Sequence, residues 1–177
     1  MSHDHRAFLR REETLPFAWR PLDSGCTTPA DVCDALALPR TVALQAKLGE
    51  LGAELDQAAA ALSEPGLRTA FGLLDAKVGV LEEAVMADAP IPPRRSLELS
   101  GAGIGFRVSG TVEPGAWIGV HLVLPVSYHL VSAARVTHCT RESSGQRLGA
   151  ELVGLAAPAA RHLTRFVISR TRSRPRR

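Results

Sequence analysis

Between residues 41 and 85 apolar side chains recur in alternating steps of four and three. The first run is Leu44, Leu48, Leu51, Leu55, Ala58 and Leu62; the second is Leu67, Phe71, Leu74, Val78, Leu81 and Val85. This 3.5-residue period predicts two helices of about 22 residues, each about 33 Å long, with a narrow apolar stripe on one face. Ser63-Glu64-Pro65-Gly66 interrupts the pattern. Ser63 is the expected N-cap of the second helix, and Pro65 falls in its first turn, where a missing N–H costs nothing. Gly49, Gly52, Gly66, Gly72 and Gly79 lie in or beside these helices. Each glycine inside a helix costs about 1 kcal/mol relative to alanine, so packing must hold them. The stripes need covering by another helix, from this chain or a second copy.

On either side the apolar period shortens towards two. Residues 14–20 alternate as a strand, with Pro16 marking an edge or first position. Thr28-Pro29-Ala30-Asp31 opens a short helix by capping logic, ending near Leu38, and Pro39 starts the first heptad helix. Ala89-Pro90-Ile91-Pro92-Pro93 ends the helical part. Beyond it, short strands are predicted at 95–99, 103–108, 117–124, 128–137 and 148–153, separated by Gly, Pro and Ser turns. A helix over about 158–169 follows, with Leu163, Phe166 and Val167 on one side to close the sheet. The pattern predicts an α+β chain: an antiparallel barrel or sandwich interrupted after its first strand by a helical insertion over 28–88. Residues 1–20 form the arm and first strand, 94–170 the remaining strands and last helix, and 171–177 a basic tail expected to be disordered.

Composition adds a charge asymmetry. Residues 1–93 hold 8 Lys and Arg against 14 Asp and Glu, whereas 94–177 hold 13 Arg against 4 Glu, a net of −6 and +9. The basic half invites an anionic partner. Three cysteines without C-x-x-C spacing suggest a reducing compartment. No apolar leader begins the chain, and the longest apolar run, 116–126, is broken by His121 and Pro125. A cytoplasmic protein without a membrane span is expected.

Two stretches carry candidate chemistry. Arg6-Ala7-Phe8-Leu9-Arg10 places two guanidiniums four residues apart, suited to phosphate and flat bases. Glu98-Leu99-Ser100-Gly101-Ala102-Gly103 puts a carboxylate and a hydroxyl on one strand face, with glycines that let a ligand approach the backbone. It is not a dinucleotide-binding Gly-x-Gly motif, because strand follows where that motif needs a helix. In this chain order the two pieces resemble the PilZ domain, the bacterial receptor module for cyclic di-GMP. That family carries Arg-x-x-x-Arg on an N-terminal arm and Asp/Asn-x-Ser-x-x-Gly on an early strand of a six-stranded barrel closed by a helix. The resemblance covers about 1–20 and 94–170 and includes Gly149-Ala150-Glu151-Leu152-Val153 before the last helix. It implies a ligand site of Arg6, Arg10, Glu98, Ser100 and Gly103. Glu98 stands where the family has Asp or Asn, one methylene longer. The split between the motifs is similar to an atypical tetrameric PilZ subgroup whose long helices drive assembly.

In the second heptad run Phe71, Val78 and Val85 take a positions and Leu67, Leu74 and Leu81 take d, which favours a parallel two-stranded coil with Lys77 facing Glu82 of a partner. The periodicity therefore leans to a dimer and the resemblance to a tetramer; an intramolecular hairpin is the alternative. His121, His129, His138 and Cys139 fall on neighbouring predicted strands without the spacing of a zinc site, so no metal is expected. The Arg-rich tail lacks interleaved aromatics and a recognition motif, so a solvated tail or a partner-binding arm is expected rather than nucleic-acid binding. No nucleophile–base pair or carboxylate dyad is placed, so no enzyme and no cofactor is expected. The chain reads as a signalling adaptor for cyclic di-GMP and a downstream protein, or as a docking and assembly module that has lost its nucleotide site.

Overall fold

Strands and helices follow in the order β1 (Arg11–Pro21), α1 (Pro29–Ala35), α2 (Arg40–Ala60), α3 (Pro65–Met86), β2 (Arg94–Leu99), β3 (Gly103–Val108), β4 (Trp117–Leu124), β5 (Tyr128–Glu142), β6 (Gly145–Val153) and α4 (Ala157–Arg172). The computed structural model describes residues 11–172 without Ser24, Val126, Ser127, Ser144 and Ala156; for Arg11, Ala46, Glu50, Ala53, Thr171 and Arg172 it describes the backbone alone. The six strands close into an antiparallel barrel in the order β1-β2-β3-β6-β5-β4. β1 serves two neighbours: residues 11–16 pair with β2 and residues 17–21 with β4. Pro16, which has no N–H for a ladder, stands at that changeover. All three helices of the insertion lie between β1 and its sequence-next neighbour β2.

Alternation decides which side chains enter the barrel. Leu97, Leu99, Ile104, Phe106, Ile118, Val120, Leu122, Leu130 and Leu148 are buried inside it. Phe17 packs edge-on against Phe106 at 4.8 Å between ring centroids. Leu163, Phe166 and Val167 of α4 join this core, as the pattern of the last helix predicts. A second apolar cluster lies on the outer face of the sheet, where Val131 and Ala133 meet Val32 and Cys33 of α1, Val42 of α2, and Met86 and Ala89 at the end of α3. The insertion is thus seated on β4 and β5. Gly119 permits this approach, since a Cβ there would meet Val32 Cγ1 at 2.9 Å and Leu22 Cδ2 at 3.2 Å.

Local chemistry sets the helix starts. Thr28 caps α1 in a capping box with Asp31: Asp31 N–H donates to Thr28 Oγ1 at 3.2 Å and Thr28 N–H to Asp31 Oδ2 at 2.9 Å. These bonds hold the Asp31 carboxyl below its ordinary range. The expected Ser63 cap of α3 is corrected: Glu64 is the N-cap and makes no side-chain cap bond. Pro65 at the first helical position pushes the residue before it into the extended region (φ −82°, ψ 118°), which moves the cap one residue on. β5 and β6 extend to Glu142 and from Gly145, past the expected limits. Thr140, Arg141 and Glu142 pair with Arg147, Gln146 and Gly145 in an exposed hairpin held by its ladder, which apolar periodicity cannot reveal. Gly145 takes φ +139° in the turn. Among the described residues no helix is long and apolar enough to cross a membrane.

Candidate functional site

One cross-strand row organises the outer face of the barrel away from the insertion. Glu12 of β1 is opposite Glu98 of β2, Glu98 opposite Gly105 of β3, Gly105 opposite Gly149 of β6, and Gly149 opposite His138 of β5. The two glycines leave a strip of bare backbone between a carboxylate and an imidazole. An open groove of about 780 Å³ lies over this strip, reaching Ser100 and Gly103 at one end and Thr140 and Glu142 at the other.

Of the residues expected to bind ligand, three meet here. Ser100 is buried at the β2–β3 turn; its N–H and its hydroxyl both donate to the Gly103 carbonyl, at 2.9 and 3.2 Å. A Cβ on Gly103 would come 3.0 Å from the Ala150 carbonyl and 3.3 Å from Ser100 Oγ. The Glu-x-Ser-x-x-Gly spacing therefore builds the turn itself. Glu98 reaches across Gly105 to an ion pair with Arg147. Glu142 pairs with Arg107 at 2.7 Å. Both pairs are partly exposed, so each is worth about 1 kcal/mol or less and can exchange partners. Arg6 and Arg10 lie outside the described residues; β1 begins at Arg11, opposite Leu99, which lines the groove beside Ser100.

Sequence reasoning missed Arg147, Glu151, Thr137, His138, Gly105 and Gly149 as lining residues. Their signal was the alternation of glycine with apolar residues in Gly103-Ile104-Gly105 and Leu148-Gly149-Ala150, which becomes informative only once the register is known. The four residues grouped as a metal candidate divide. His138 lies in the groove, and Cys139 turns towards the core and donates to the Val112 carbonyl at 3.1 Å. His121 and His129 instead stack beneath the insertion, Nε2 to Nδ1 2.9 Å, each almost wholly buried. Burial first and His129 second bring the His121 pKa down to about 4; burial also lowers His129. The His129 backbone N–H donates to buried Gln45 of α2 at 3.1 Å, tying the helix to the strand.

The heptad residues give a second surface. α2 rests on β5, α1 and α4, whereas α3 packs mainly on α2. The half-buried side of α3 carries Phe71, Gly79 and Glu82, and Asp75 approaches Gly52 of α2. Its outward side exposes Leu67, Leu74, Leu81, Val78 and Val85, together with Leu73 and Val80, 69% and 67% exposed. On α2, Leu44 and Leu51 are exposed, while Leu48 and Leu55, and Leu62 just past its end, are half-buried. The hairpin therefore forms while covering only part of the α2 stripe and leaving most of the α3 stripe exposed. Glu82 turns inward to where, after burial, it raises the Tyr128 phenol; Tyr128 stacks on His162 of α4 at 4.3 Å. The Lys77–Glu82 pair expected of a parallel dimer is thus not what this face presents.

A barrel of six antiparallel strands, closed by a terminal helix and opened after its first strand by a helical insertion, is a PilZ fold. The sequence matches no family model and no curated protein. Among solved structures it is similar to a tetrameric PilZ domain, a pathogenic protein from Xanthomonas campestris that self-assembles via an unusual helical bundle. The likeness is 15% identical, covers 94% of this chain and 90% of that one, and has a TM-score of 0.53. The Bacillus subtilis inhibitor of motility, MotI/DgrA, is also similar: 19% identical over 47% of this chain and 44% of that one, TM-score 0.44.

Proposed function

We propose that this chain is a non-enzymatic PilZ-fold adaptor that assembles into a homotetramer through α2 and α3 and presents its barrel grooves to a regulatory ligand and a protein partner. The observation that carries assembly is the outward face of α3. At 100° per residue its exposed apolar positions span roughly 160° of the helix, wider than the ~100° stripe that one neighbour covers. Fully burying a leucine or valine is worth about 1.5–3 kcal/mol, and these side chains, 38–69% exposed in the single chain, have part of that still to gain. α2 of the same chain occupies the opposite side, so two further helices are needed, and a closed symmetric tetramer supplies them. The helical bundle of the Xanthomonas protein supports the same reading.

Cyclic di-GMP is the ligand this reading assigns to the groove. Ser100, Gly103 and Glu98 line it, and Arg6 and Arg10 shortly precede Arg11 in sequence, which stands opposite the groove residue Leu99. The groove's own described charges are Glu98, Glu142 and Glu151 against Arg147. Two phosphates therefore depend on the arm for their countercharge. A loss of ligand binding, with the groove kept for protein docking, is the alternative, supported by Glu98 being held by Arg147. The non-enzymatic reading is supported by Ser100, whose proton goes to a backbone carbonyl and not to a base.

Leu81→Cys tests the assembly: oxidation should link copies into covalent dimers at low micromolar protein, while an exposed control on the barrel, Ser109→Cys, should not. Equal linking at both positions would reject the seam. Titration calorimetry tests the ligand: heat with cyclic di-GMP that disappears in Arg6→Ala/Arg10→Ala supports the receptor form, and no heat at tens of micromolar ligand supports the docking form.

A further inference from the structure

We propose that His138 is a ligand-reading residue of the groove, presenting a fixed ring face and an unprotonated Nε2 to a planar heterocycle that carries an N–H donor on its edge. The proposal deepens the reading of the groove as a ligand site and rests on it.

The ring is held by its surroundings. A β-bulge between Val136 and His138 sets Thr137 out of register, so that its side chain and that of His138 act together. Thr137 Oγ1 lies 2.9 Å from the Gly149 carbonyl and 3.1 Å from His138 Nδ1. The hydroxyl has one proton, and the carbonyl can only accept it. Towards His138 the same oxygen can then only accept, so Nδ1 must carry the hydrogen. In the neutral ring this leaves Nε2 as a bare acceptor. The imidazole lies over Gly149, where an added Cβ would overlap Cε1, Nε2 and Nδ1. Glycine at 149 is what allows the ring to rest on the sheet, and Gly105 extends the same bare floor to Glu98. His138 remains exposed, so its other face is available.

The remaining polar groups have the same bias. The Ser100 hydroxyl has given its proton to Gly103, and Glu98, Glu142 and Glu151 can only accept when ionised. Arg147 is the described lining side chain that donates without accepting, and it is engaged with Glu98. A groove so lined favours a ring whose edge brings amide or amino N–H groups and whose face can stack. It disfavours a ring that brings only acceptors, which would leave two lone pairs opposed.

Two measurements on the full chain test this. Long-range 1H–15N spectra of the ligand-free protein should show one imidazole, absent from His138→Phe, with the proton on Nδ1; a proton on Nε2 overturns the proposal whatever binds. Titration with cyclic di-GMP, whose guanine edge carries N–H donors, should be about tenfold weaker in His138→Ala, and about fivefold weaker in His138→Phe, which keeps the flat face and loses the acceptor. If the parent chain binds and both variants bind equally well, the proposal fails while the groove remains a ligand site. If the parent chain does not bind at all while the Nδ1 tautomer is present, the reading of the groove as a cyclic di-GMP site fails, and the proposed role of His138 falls with it.

Discussion

The His121–His129 pair shows how much a single residue position can decide. Two buried imidazoles 2.9 Å apart can share one proton but cannot hold a proton on each facing nitrogen. Both are pushed towards the neutral form, His121 to about 4 from an ordinary 6.5. The unfolded chain therefore binds more protons than the folded one below 6.5, and stability falls as pH drops from about 6.5 to about 4. For His121 alone the fall from 6.5 to about 4 amounts to about 3 kcal/mol. Thermal unfolding followed across this window should show the loss, and His121→Leu/His129→Leu should flatten it; an unchanged slope in the double variant would place the effect elsewhere. The same scale governs the glycines. Gly103→Ala should destabilise the barrel by about 1–3 kcal/mol in urea unfolding, because its Cβ meets the Ala150 carbonyl and Ser100 Oγ, whereas Gly72→Ala, open on all sides, should stabilise by up to about 1 kcal/mol. Sequence reading found Ser100 and Gly103 because their spacing is local. It could not find His138, Gly149 or Arg147, which reach the groove only through a register and a bulge.

At the scale of elements, β3, β4 and the helices were legible because their patterns are strong: alternation in Gly103–Val108 and heptads in α2 and α3. The Ser63 cap and the inner limits of β5 and β6 were not, since a proline and a polar ladder decided them. Periodicity also gave the stripe on α3 without its orientation. The a and d residues were legible, but Leu73 and Val80 were not, and they widen the outward face beyond a two-stranded seam. Leu73→Ser/Val80→Ser should therefore reduce the assembly to a smaller one, read as a lower sedimentation coefficient with an unchanged far-ultraviolet spectrum. Persistence of the parent's assembly would show that these two residues take no part. Packing of α1 on the sheet gives a separate test: Gly119→Val should lower the unfolding midpoint by several degrees, because Val32 and Leu22 occupy the space that a side chain needs.

For the whole molecule the governing feature is the separation of two surfaces. The insertion is seated on β4 and β5 through the second apolar cluster, and the groove lies over β2, β3, β6 and the far part of β5. In the proposed assembly copies join through the helices while every groove stays open, as the proposed adaptor role requires. The charge asymmetry of the chain follows the same division, with the acidic half holding the insertion and the basic half most of the barrel. The most direct test is the mass in solution, by light scattering at tens of micromolar, of the full chain and of Leu74→Asp/Leu81→Asp. Leu74 and Leu81 are 53% and 59% exposed in the single chain, so charging them should leave the barrel folded. Four copies are expected for the parent chain and one for the variant, with equal barrel stability. A parent chain of one copy, or a variant that keeps the parent's mass, would contradict the proposed assembly.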